Sequence, residues 1–254
     1  MKIVIKIGTS TLAHAGGRLN IRRTERLCKI ISDLKNAGHE IIMVSSGAIG
    51  MGTGKLSMKH RPTDMATKQA AAAVGQCELM YTYDRLFAQY NHVVAQILIT
   101  ASDIRHEDRH ENFSATLNRL LDLGVIPIIN ENDTIATEEI ALGDNDTLAA
   151  IVATSAKADL LILLSDIDGL FTADPHKDPD AKLIEAVDEI SDEILALGGC
   201  SQFEHGTGGM KTKLTAAQIC TEAGCDMIIT NGAYPENLYD IADGKAVGTR
   251  FFAK

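Results

Sequence analysis

The run "DLLILLSD", residues 159–166, decides the fold. Five consecutive aliphatic residues make a strand-length segment that does not alternate with polar ones, the pattern of a strand covered on both faces. Five further runs share the pattern: "KIVIKIG" at 2–8, "EIIMVSSG" at 40–47, "HVVAQILIT" at 92–100, "VIPIINEN" at 125–132 and "DMIITNG" at 226–232. Between them lie amphipathic patterns such as Leu27, Ile30, Ile31 and Leu34 before Gly38, or Phe113, Leu117, Leu120 and Leu121 before Gly124. That spacing gives each segment one apolar helical face, and each glycine stands where a helix C-cap belongs. Alternating strands and helices require crossovers, so the sequence predicts an α/β fold: a three-layer α-β-α sandwich around a mostly parallel central sheet.

The 254 residues hold no internal repeat, low-complexity tract or linker, and one domain over residues 1–254 is the simplest organisation. A net charge of -10, with no basic block or aromatic-basic stripe, argues against nucleic acid or an anionic membrane as partner. The N-terminal "MKIVIKIGTS" is too short and interrupted for a signal peptide, and no segment approaches about 18 uncharged apolar residues, so a cytoplasmic protein is expected. The five cysteines form no C-x-x-C pair and read as reduced structural thiols.

In a parallel sheet, ligands bind beyond the carboxyl ends of the strands. Five of the six runs end in small or hydrogen-bonding residues: "KIGTS", "SSGAIG", "NEND", "SDIDG" and "TNG". Turn chemistry explains part of this for any one loop, but less well for all of them together. Lys6 lies inside an apolar run, and its ammonium must reach water, pair or meet a ligand, because an unpaired buried charge is costly. "SSGAIG", residues 45–50, suits an anion at a helix start, with Gly47 admitting backbone amides and Ser46 adding a hydroxyl. In "NENDTI", residues 130–135, Asp133 suits a substrate ammonium, against the alternative of an ordinary Asx turn. In "GDNDTLAAIVA", residues 143–153, Asp144 or Asp146 is either an N-cap or a spare carboxylate that holds two lysine heads. The loop in "LLSDIDGLFTADPHKDPDAK", residues 163–182, leaves its strand through Ser165 and Asp166 and is placed to line a nucleotide or to be a plain surface connection. "GTGGMKTK", residues 206–213, mixes glycines and lysines ahead of a helical pattern, although the P-loop order fails because Gly209 and Lys211 are not adjacent. "HEDRH", His106 to His110, satisfies the zinc-hydrolase spacing H-E-x-x-H, but its charged surroundings lack the apolar back face of a water-excluded metal site.

Taken together and in order, "KIGTS", "SSGAIGMG", "NENDT", "GDNDTLAA", "LLSDIDGLFTADP" and "GTGGMKTKLTAA" resemble the glutamate 5-kinase family of the amino acid kinase superfamily. The resemblance implies the amino acid kinase fold and ATP-dependent phosphorylation of the γ-carboxylate of L-glutamate, the first step of proline biosynthesis. By motif, Lys6 and Lys213 would contact the transferring phosphoryl group and Asp146 would organise them. Ser46, Asp133 and Asn145 would bind glutamate. Lys6, Ser165, Asp166, Thr207, Gly208, Gly209, Met210, Lys211, Thr212 and Lys213 would bind ATP, with Mg²⁺ held mainly by the phosphates and no protein metal site. A carboxylate with a reference pKa near 4.3 is already an ionised nucleophile, so no general base is required.

The resemblance also implies feedback inhibition by L-proline, a homo-oligomer (dimer or tetramer) and a downstream glutamyl phosphate reductase as possible partner. Many members carry a C-terminal PUA domain; this chain stops at "GTRFFAK", residues 248–254, near where the kinase domain would end, as either a naturally short form or a trimmed one. Glycine-rich "GAIGMGTGK", residues 47–55, is the expected mobile loop that shields an acyl phosphate from water. The competing readings are a sister kinase acting on another acceptor and a non-catalytic ligand sensor of the same fold; Lys6, Lys213 and Asp146 together favour chemistry over sensing.

Overall fold

All six apolar runs are strands in the computed structural model, which describes residues 1–14, 18–136, 145–175, 177–199 and 209–254. The first half of the chain runs β1 (Lys2–Ile7), α1 (Thr9–Leu12), α2 (Ile21–Asn36), β2 (Glu40–Ser45), α3 (Ala48–Lys55), α4 (Met65–Ala88), β3 (Val94–Ile99), α5 (Ala101–Arg105), α6 (Glu107–Asp122) and β4 (Ile126–Glu131). The second half runs α7 (Asn145–Ser155), β5 (Leu160–Ser165), β6 (Leu170–Phe171), β7 (Leu183–Ile184), β8 (Ala186–Val187), α8 (Asp192–Leu197), α9 (Met210–Glu222), β9 (Asp226–Asn231), α10 (Asn237–Ala242) and β10 (Thr249–Phe251). Gly38 and Gly124 follow α2 and α6 at φ +95° and +73°, the left-handed conformation expected of C-cap glycines.

The central sheet has the order β3-β4-β2-β1-β5-β9-β10-β8. It is parallel throughout except where β10 runs antiparallel to β9. β8 and β10, together with the separate β6–β7 pair, are only two or three residues long, too short to carry a periodic signal in sequence. Strand β3 is the one run that is not deeply buried, because it is the sheet edge beside β4 alone.

Alternation along the strands sorts the core into two layers. Ile3, Ile5, Ile41 and Met43 face one side, where Leu27, Ile31, Leu79 and Tyr83 from α2 and α4 cover them. Val4, Ile42, Val44, Leu161 and Leu163 face the other, against Leu148, Ala149 and Val152 of α7 and Leu214 and Ala217 of α9. Lys6 follows Val4 by two residues and therefore points to the α7 and α9 side.

The stretch "GAIGMGTGK" differs from the expected mobile loop: residues 48–55 are helix α3, buried through Ala48, Met51, Gly52 and Thr53. Its glycines serve packing. A Cβ on Gly52 would stand 1.8 Å from the Ala71 carbonyl oxygen, and one on Gly75 would stand 1.8 Å from that of Ala48. Helices α3 and α4 thus cross in near backbone contact, which only glycine permits. Gly47, with φ +98°, makes the left-handed turn from β2 into α3.

Candidate active site

Every strand of the parallel block ends on the same side of the sheet. The register sets Ile7 beside Ser45 and Leu164, Leu98 beside Asn130, and Ser165 beside Asn231. The polar run-ends recognised in sequence therefore form one rim.

At its centre is a three-member ion cluster. Asp146, in the first turn of α7, has no exposed surface; its Oδ1 lies 2.6 Å from Lys6 Nζ and its Oδ2 lies 2.9 Å from Lys213 Nζ. Lys6 is 7% exposed and Lys213 5%, so both ammonium groups are nearly out of water. The single Thr212 hydroxyl proton serves either the Gly209 carbonyl, 2.8 Å from Oγ1, or Asp146 Oδ2, 3.2 Å away. Burial by itself would push the Asp146 carboxyl up, but the two neighbouring ammonium groups outweigh it and hold the pKa well below the usual carboxylate range. Asp146 is thus an ionised bridge rather than an N-cap, and it aims two cations at the rim.

The acceptor side is an amide network. Asn145 Nδ2, with two N–H groups to donate, lies 2.7 Å from Ser46 Oγ, 2.9 Å from the Ser45 carbonyl and 3.0 Å from Asn130 Oδ1. The same Asn130 oxygen accepts from the Glu131 amide at 2.9 Å, while Asn130 Nδ2 donates to Gln76 Oε1 of α4 at 2.9 Å. Tyr83 of α4 braces the rim below, its hydroxyl 2.9 Å from Ser45 Oγ. Asp133 is half-buried; burial, with Glu131 nearby as the lesser cause, pushes its pKa up to about 6.

On the opposite side of Lys6, Ser165 Oγ donates to Asp166 Oδ1 at 3.1 Å. Gly209 is the N-cap of α9, with no side-chain cap among the described residues, and its carbonyl accepts from the Thr212 amide at 3.2 Å. Met210 is buried, whereas Lys211 is exposed and makes no ion pair among the described residues. Thr207, Gly208 and Asp144 lie outside the described residues. The structure thus brings together Lys6, Asp146, Thr212 and Lys213, and separately Ser46 and Asn145. Asn130 and Gln76 are additions: in "NENDTI" only Asp133 is singled out from sequence, and Gln76 lies in "AAAAVGQCEL", residues 70–79, with no motif to mark it.

Of the zinc-like spacing, His106 is exposed between α5 and α6, and His110 Nε2 is engaged with Ser155 Oγ at 2.7 Å.

A three-layer sheet that presents a lysine–aspartate–lysine cluster beside a helix N-terminus is built for handling phosphate. The model of the amino acid kinase family matches residues 1–231, and the chain belongs to that family. Its relatives include the protein named glutamate 5-kinase from Caldanaerobacter subterraneus subsp. tengcongensis, 50% identical over 99% of this chain and 68% of the relative. The glutamate 5-kinase of Clostridium perfringens is 49% identical over 100% of this chain and 96% of its own length. Among solved structures, a carbamate kinase from Giardia lamblia bound to AMP-PNP has a TM-score of 0.69 at 18% identity, covering 100% of this chain and 98% of that one. The UMP kinase of Ureaplasma parvum has a TM-score of 0.68 at 15% identity, covering 99% and 98%. These two likenesses concern the fold.

Proposed function

We infer that the chain transfers the γ-phosphoryl group of ATP to the γ-carboxylate of L-glutamate, giving γ-glutamyl phosphate and ADP, in proline biosynthesis. The observation that carries the reaction type is the Lys6–Asp146–Lys213 cluster. Phosphoryl transfer asks chiefly for positioning and for positive charge around the moving group. Two ammonium groups held on one buried carboxylate supply that charge without reorganising during the reaction. A glutamate carboxylate oxygen attacks the γ-phosphorus, the bond to the bridging β-oxygen breaks, and the electron pair leaves with ADP. No proton has to move.

MgATP is the second substrate. Both Asp146 oxygens face lysines, so the donor set there suits phosphate oxygens, and Mg²⁺ stays with the phosphates and water, in keeping with its reluctance to dehydrate. Gly209, Met210 and Thr212, with Thr207, Gly208 and Lys211, Ser165 and Asp166, line the nucleotide side in this reading. Ser46, Asn145 and Asp133 line the glutamate side, with Asp133 accepting from the α-ammonium. Strands from both ends of the chain share one sheet, which supports a single amino acid kinase domain over residues 1–254. No described helix is long and apolar enough to cross a membrane, in keeping with a cytoplasmic setting. Proline as feedback inhibitor, a homodimer or homotetramer, and a reductase that consumes the labile product belong to the same reading.

The test is ATP turnover with Mg²⁺ and hydroxylamine against L-glutamate, N-acetylglutamate, aspartate, carbamate and UMP. Hydroxamate from glutamate alone is expected. Turnover of another acceptor instead would keep the lysine cluster and overturn the acceptor assignment. Lys213→Ala should lower kcat severely with little change in glutamate binding; loss of binding at normal saturated turnover would remove Lys213 from the transition state.

A further inference from the structure

The buried amide network has one loose end. Gln76 is 7% exposed, and its Nε2 has no hydrogen-bond partner among the described residues. The orientation of the whole chain of amides follows from one backbone group. The Glu131 N–H is a donor only, so the Asn130 atom facing it is Oδ1, which leaves Nδ2 toward Gln76. The Gln76 atom that receives Nδ2 must be Oε1, and Nε2, with its two N–H groups, is the atom left over. A buried donor without an acceptor is costly, and native proteins keep such groups where a ligand completes them.

The place of this donor is set by the sheet. Asn130 is the penultimate residue of β4, two strands from Lys6 on β1, roughly 10 Å away at ordinary strand spacing. Glutamate with its γ-carboxylate at the lysine cluster extends its α-carbon toward β4, where Asp133 stands for the α-ammonium. Gln76 joins the glutamate side through the chain Asn130, Asn145 and Ser46, and a neutral N–H donor at the end of that chain suits an anionic oxygen.

We propose that Gln76 Nε2 donates to the α-carboxylate of glutamate, making Gln76 a substrate-binding residue that selects acceptors carrying that group. This rests on the glutamate-kinase reading of the site. Asn130, held between Gln76 and Asn145, couples the α-carboxylate pocket to Ser46 and, through the neighbouring Asp146, to the phosphoryl cluster.

Two variants test it. Gln76→Glu keeps an oxygen to accept from Asn130 Nδ2 and removes only the donor; Gln76→Met removes both at similar volume. A hydrogen bond to a charged group is worth a roughly 10- to 150-fold change in affinity. Both variants should raise KM for glutamate into that range, Gln76→Glu the more, with KM for ATP within threefold of the wild type. If Gln76 serves only to hold Asn130, Gln76→Glu leaves KM for glutamate within threefold, and the proposal is wrong. A parallel rise in KM for ATP would also overturn it, as general damage to the site. Should Gln76→Glu fail to fold, as judged by circular dichroism, Gln76→Met is compared on glutamate and on 4-aminobutyrate, which lacks the α-carboxylate: a loss confined to glutamate supports the donor, and an equal loss on both, or none on glutamate, overturns it. A wild-type protein that makes no hydroxamate from glutamate would remove the underlying reading; a wild type that does, beside variants of unchanged KM, removes only the role of Gln76.

Discussion

Asp146→Asn is the most informative single change, because it keeps the shape of the cluster and removes its central charge. Asp146 has no exposed surface, and its two ion pairs, at 2.6 and 2.9 Å, are each worth roughly 6 kcal/mol gross at an effective dielectric near 20. Most of that offsets the desolvation of three buried charges, so the net loss on breaking the cluster is about 3–5 kcal/mol. The asparagine amide makes matters worse, since its N–H donors face an ammonium group. The unfolding free energy in urea, followed by far-UV circular dichroism because the chain has no tryptophan, should fall by that amount. Saturating MgATP should recover a larger share of stability in the variant than in the wild type, as the triphosphate replaces the missing counter-charge. With the two lysines no longer aimed, kcat should drop about 10²-fold or more. Stability within about 1 kcal/mol of the wild type and kcat within tenfold would refute the view that this carboxylate organises the cations. The sign with pH follows from the depressed pKa: the contribution of Asp146 is fully present above the unfolded carboxylate range near 4 and is lost as the pH falls below it toward the folded value.

Asp133, pushed up to about 6, has the opposite sign: its neutral form is favoured by the fold, that contribution is present at low pH, and it is lost as the pH rises through 6. Because only the carboxylate binds an ammonium, KM for glutamate should rise about tenfold per pH unit below 6, and Asp133→Asn should flatten that profile; an unchanged slope in the variant would exclude Asp133. Gly75→Ala puts a Cβ 1.8 Å from the Ala48 carbonyl and 2.4 Å from the Gly52 nitrogen. It should cost about 1–3 kcal/mol in urea unfolding and lower kcat/KM for glutamate more than for ATP, because the start of α3 must shift. Tyr83→Phe removes the hydroxyl 2.9 Å from buried Ser45 Oγ, with an expected loss of about 1–2 kcal/mol and turnover within fivefold of the wild type.

The sequence by itself determined the layers of this protein. Strand-length aliphatic runs rich in Ile and Val, set between longer segments with one apolar stripe, read as sheet strands and the helices that cover them. That regularity also made the rim legible, since parallel strands must all end on one side. Lys6 was recognisable as a charge that needed a partner, because an ammonium inside an apolar strand cannot be left alone. Which partner it takes was not readable locally. Asp146 and Lys213 lie 140 and 207 residues further along, and strand alternation together with the packing of α7 against α9 brings the three to one point. The glycines of α3 misled for the same reason: in one dimension a glycine-rich stretch reads as a loose loop, whereas Gly52 and Gly75 are spaces left for another backbone. Gln76 carried no signal at all. A glutamine on a helix is ordinary until the fold buries its carboxamide against Asn130, and only then does the orientation of one backbone N–H, passed from amide to amide, decide which of its atoms is left to meet a ligand.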